Sequence, residues 1–63
     1  MDMVQAIIKV AKYCKEKGYD LSGQEIDYIV SAISLVKDLD EVDDGALHIF
    51  VDTYVSDKGS KTF

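Results

Sequence analysis

Asp44, His48 and Asp52 stand at successive spacings of four. On a helix this lines one face, where an imidazole and two carboxylates could ligate a transition metal or move a proton. The same spacing is common on solvated faces held by i, i+4 attraction. The trio falls opposite the apolar residues of its own segment, so a surface face is expected and no metal site. Cys14 could act as a nucleophile in an electropositive, accessible setting. Lys15 and Lys17 are close by, but Cys14 belongs to an apolar stripe, which predicts a packed core thiol. His48 lies on another segment and on its polar side, so a Cys–His pair is not expected.

Five acids occur within Asp38–Asp44. A calcium loop needs oxygen ligands at its positions 1, 3 and 5, glycine at 6 and glutamate at 12. With Gly45 at position 6, Asp40 and Asp44 fit. Val42 and Val51 then occupy positions 3 and 12, and the motif fails. No serine stands in a nucleophile elbow, and no glycine-rich phosphate loop follows a strand. The sequence therefore predicts no catalytic residue, no cofactor and no enzyme.

The elements that would carry these residues are helical. Val4, Ile7, Ile8, Ala11 and Cys14 follow helical spacing in a first segment from Asp2 to about Lys17, with Met3 and Val10 widening the stripe and Gln5, Lys9, Lys12 and Glu16 facing away. Gly18 supplies a left-handed stop. Ser22-Gly23-Gln24-Glu25 is a capping box, with Leu21 and Ile26 as its hydrophobic staple. The second helix is expected to run to Lys37 or Leu39. Ile26, Ile29, Val30, Ile33 and Val36 form one apolar stripe. Tyr28, Ala32, Leu35 and Leu39 form another beside it, making an apolar arc of roughly 220° that exceeds an ordinary surface face. This helix must be packed from two sides or lie in a subunit interface. A third segment runs from Glu41 or Gly45 to Asp57, with Leu47, Phe50, Val51, Tyr54 and Val55 at helical spacing. Leu47, Ile49, Val51, Thr53 and Val55 also alternate, but a lone strand would have no partner within the chain. The expected fold is all-α, a small three-helix domain over 1–57 centred on helix 2, with 58–63 as a frayed tail.

Composition narrows the function. The chain has 63 residues, 7 lysines, 12 acids and a net charge of −5, and it lacks arginine and proline. Without arginine there is no planar fork for bidentate phosphate binding, and the acidic balance repels nucleic acid and anionic lipid. Residues 1–17 carry four lysines against two acids, and 18–63 three lysines against ten acids. The first helix can therefore sit against an acidic neighbour, in the same chain or in another copy. A lone cysteine fits a reducing cytoplasm, and no run is long enough to span a membrane.

Folding a chain of this size removes roughly 6,000 Å² from water, about 60% of it apolar, for a gain on the order of 90 kcal/mol. Ordering the residues costs roughly 95 kcal/mol. The near balance makes self-association an expectation. The function expected is a non-catalytic cytoplasmic protein-interaction module, a small helical regulator or inhibitor, with a protein partner or a homodimer on Tyr28, Ala32, Leu35 and Leu39. An acidic rim of Asp38, Asp40, Glu41, Asp43, Asp44 and Asp52 would set partner choice. The alternative is an acidic decoy that mimics DNA and occupies a nucleic-acid-binding protein.

Overall fold

The computed structural model describes residues 1–60, with Gly59 and Ser60 as backbone only. The fold is all-α. It consists of α1 (Met3–Lys17), α2 (Gly23–Val36), a 3-10 turn (Leu39–Glu41) and α3 (Asp44–Ser60), with no strand among the described residues. The alternation in the third segment is thus one edge of a helix. Leu47 and Val51 are buried and Val55 half-buried on one side, while Ile49 and Thr53 face outward.

Each helix starts where local chemistry satisfies its first backbone donors. Asp2 caps α1, its carboxylate accepting the Gln5 N–H at 2.8 Å. At the other end Gly18 adopts φ 76°, a conformation that costs a side-chain-bearing residue strain. It lets the Tyr19 N–H return to the Cys14 carbonyl at 2.8 Å. The capping box on α2 is complete: Ser22 Oγ accepts the Glu25 N–H at 3.2 Å, and Glu25 Oε1 accepts the Ser22 N–H at 3.1 Å. Leu21 and Ile26 both pack against the core, as a staple requires. Asp43 caps α3, accepting the Ala46 N–H at 2.8 Å.

The end of α2 differs from expectation. The helix stops at Val36 because Lys37 is extended, with φ −154° and ψ 146°. Asp38 then caps the 3-10 turn, accepting the Asp40 N–H at 3.1 Å. The extended step swings Leu39 inward until only 9% of it is exposed. Leu39 is therefore a core residue on the connection and not the last member of the second stripe of α2. Burial of one leucine outweighs another half-turn of helix.

The core is formed by Ala6, Val10 and Cys14 of α1, Ile29, Val30 and Ile33 of α2, Leu39 and Val42 of the connection, and Leu47 and Val51 of α3. Among the described residues no polar side chain is buried. The inward stripe of α1 is rotated from the expected one. Cys14, Val10 and the half-buried Ile7 belong to it, but Met3, Val4, Ile8 and Ala11 are exposed and Ala6 is buried instead. Nor does the chain fray at 58. Helix α3 continues through Ser60, and Lys58 Nζ reaches Glu25 Oε2 at 2.6 Å. Residues 61–63 of the expected tail lie outside the described residues.

Ser22→Ala removes the cap that fixes where α2 begins. Urea unfolding should show a loss of about 1 kcal/mol with an unchanged m-value. A midpoint equal to wild type would mean that packing alone positions the start of α2.

Candidate interaction surface

The polar trio singled out from spacing has a structural partner. Lys9 Nζ meets Asp44 Oδ1 at 2.8 Å, and the Tyr13 ring stacks on His48 with centroids 3.9 Å apart and planes at 9°. Asp52 accepts the hydroxyls of Tyr13 at 2.9 Å and Tyr19 at 2.8 Å. Lys17 sits 5.8 Å over the Tyr13 ring and adds to the field that keeps Asp52 ionised. Lys9, Tyr13 and Lys17 repeat every four residues on α1, as Asp44, His48 and Asp52 do on α3. Two of the contacts between the ladders, Lys9 with Asp44 and Tyr13 with His48, join residues 35 apart in sequence, while the Tyr13 hydroxyl reaches one turn further to Asp52. The two ladders therefore run parallel and in register. This face is solvent-exposed, as expected, but it is also the seam between α1 and α3.

Electrostatics follow from these contacts. The Tyr19 and Tyr13 hydroxyls hold the Asp52 carboxyl below its ordinary range, and the Lys9 ammonium does the same for Asp44. Desolvation, followed by the hydrogen bond to Asp52, pushes the Tyr13 phenol up to about 12. Cys14 is buried, and desolvation raises its thiol. It lies in the core, away from a nucleophile's accessible setting. Among the described residues no three His, Cys, Asp or Glu side chains stand together as a metal-binding group.

A second polar hub closes the other side of α3. Glu25 is at once the capping-box carboxylate of α2 and the acceptor of Lys58 Nζ and of the Tyr54 hydroxyl at 3.0 Å. The Lys58 ammonium and the Ser22 N–H bring its carboxyl down to about 2. These contacts run α2 antiparallel to α3. The Tyr28 and Tyr54 rings continue the register, with centroids 5.9 Å apart.

Beyond that point the two helices leave an open apolar groove of about 170 Å³, walled by Tyr28, Ala32, Phe50, Thr53 and Tyr54 with Ile29 at its floor and Asp57 at its rim. Alongside it α2 presents Leu35, Val36 and Tyr28 at 86%, 72% and 62% exposure. Ile49 and Phe50 are exposed on the neighbouring helix. Of the four residues expected on the second stripe, Tyr28, Ala32 and Leu35 lie on this face, and Leu39 does not. Val36, assigned from periodicity to the inward stripe, is outward. A smaller apolar patch, Val4 and Ile8, lies on α1.

The expected acidic rim is largely committed to the fold. Asp38 and Asp43 cap turns, and Asp40 Oδ1 lies 3.2 Å from the Met1 amino group. Asp44 and Asp52 belong to the α1–α3 seam. These acids lie on the connection and the seam, so they do not encircle the apolar face of α2. No helix of the described residues is long and apolar enough to cross a membrane. No protein-family profile, curated protein or solved structure matches this chain.

The Glu25 hub predicts an acid limb. Its folded pKa lies below the ordinary 4.5, so its stabilisation is complete above that value and is lost as pH falls toward about 2. Thermal melts across this window should show the loss in wild type. Glu25→Gln should be less stable at pH 7 and show a shallower decline below pH 4.5. Parallel curves for the two proteins would remove Glu25 from the acid response.

Proposed function

We propose that this chain is a non-catalytic protein-interaction module, a small helical regulator or inhibitor of the cytoplasm, acting through the outward face of α2. The observation carrying the reading is Leu35, 86% exposed on the helix whose Tyr28 and Ala32 wall an apolar groove. Nothing in the fold calls for leucine at 35, since a lysine there would have nearly the same helix propensity. Covering it yields about 1.5–3 kcal/mol, the scale of an interface anchor. The single cysteine, unpaired and buried, supports a reducing compartment.

The DNA-mimic decoy draws little support from where the acids sit. A phosphate mimic presents unpaired carboxylates to solvent, whereas Asp44 meets a lysine, Asp52 two tyrosines, and Asp38 and Asp43 backbone amides.

The test uses the full chain as bait in extract of its native host, beside Leu35→Glu and a second variant carrying Asp38→Asn and Glu41→Gln. The reading expects associated protein to be lost with Leu35→Glu, kept with the acid variant, and retained at about 0.5 M salt, where exposed charges are screened. Loss with the acid variant or with salt alone would transfer the function to the decoy. Identical capture by wild type and Leu35→Glu would overturn the α2 reading.

A further inference from the structure

Resting on the reading of α2 as an interaction face, we infer that its occupant is a second copy of this chain, packed antiparallel with its two-fold axis at Ala32. The face has the symmetry such a partner needs. A two-fold interface brings each residue against its counterpart on the far side of the axis. Tyr28 stands four residues before Ala32, and Leu35 and Val36 stand three and four after it. Reversing the helix about Ala32 sets the tyrosine of each copy against Leu35 and Val36 of the other. The small side chain at the crossing point allows close approach of the two backbones.

Charge sets the relative direction of the two copies. Gln24 and Ser31 border the stripe with uncharged groups, and Asp57 is the carboxylate at the groove rim. The acidic connection, residues 38–44, follows the C-terminal end of α2. Antiparallel packing separates the two connections by about the length of a 14-residue helix, some 21 Å, well beyond a Debye length of about 8 Å. Parallel packing would bring them together.

The area suffices for a weak dimer. At their exposures Tyr28, Leu35, Val36 and Phe50 offer on the order of 500 Å² per chain, and two copies about 1,000 Å², the threshold of a specific interface. The register of α2 against α3, Glu25 with Lys58 and Tyr28 with Tyr54, sets Phe50 level with the C-terminal half of α2, where it extends the patch.

Sedimentation velocity of the full chain from about 10 µM to about 1 mM should show a monomer–dimer equilibrium, weakened about tenfold or more by Leu35→Glu with an unchanged far-UV spectrum. Ala32→Cys should be joined to its copy by a short bis-maleimide spanning about 8–10 Å, the interaxial distance of packed helices. Ser34→Cys, off the stripe, should not. Wild type that remains monomeric at every concentration overturns the proposal. So does a dimer untouched by Leu35→Glu, or one linked through position 34 and not 32. If the chain is monomeric yet captures a foreign protein that Leu35→Glu releases, the second-copy proposal fails while the α2 reading stands. If Leu35→Glu changes neither self-association nor capture, both fail.

Discussion

The parallel seam between α1 and α3 is the constraint from which the arrangement follows. Three helices joined by short connections return the third to the direction of the first. Two parallel helices with polar residues repeating every four can match along their length, provided the repeats begin level. Lys9 with Asp44 and Tyr13 with His48 meet that condition at a constant offset of 35 residues. Exposed pairs of this kind contribute only about 0–1 kcal/mol each, so the energy comes from the apolar core. The seam instead selects rotation. It turns α1 until Tyr13 faces α3, which brings Ala6 and Val10 inward and leaves Val4 and Ile8 outside.

Tyrosine links this polar shell to the core. The half-buried bodies of Tyr13, Tyr19 and Tyr54 pack against it, while their hydroxyls reach Asp52 or Glu25. Each of these two carboxylates joins separate parts of the chain. Asp52 ties α3 to α1 and to the turn that follows it, and Glu25 ties the start of α2 to the last turns of α3. Amphipathic rings suit the rim of a small core, because their polar ends never need to be buried. Both edges of α3 are thereby occupied, and no such device covers the outer side of α2.

What could be read from sequence divides along the range of the interactions. The start of α2 was legible because Ser22, Glu25, Leu21 and Ile26 interact within a few residues. Its end was not, because Leu39 leaves the helical path for a core made by distant residues. The doubled apolar character of α2 was legible from Tyr28, Ala32 and Leu35. The rotation of α1 was obscured by apolar residues on too many sides: Val10 was legible as inward, but Val4 and Ile8 looked as suited to the core as Ala6. The trio Asp44, His48 and Asp52 was visible, and so was its exposure, but considering α3 alone left out the helix it meets. The missing signal was present in Lys9, Tyr13 and Lys17, a ladder of complementary chemistry at the same spacing. A surplus of lysine in the first segment and of acid in the rest already pointed to that meeting.

The same separation of ranges explains why the outer face of α2 contributes little to folding. A side chain exposed in both the unfolded and folded chain adds almost nothing to the difference between them. Leu35 and Val36 are close to that condition, whereas Ile29, Val30 and Ile33, on the same helix, are fully committed to the core. Helix α2 thus carries two apolar stripes in different settings. One is covered by α1 and α3 and closes the fold. The other is hydrated in the folded chain as in the unfolded one, so the apolar free energy of Leu35 and Val36 is not spent on folding.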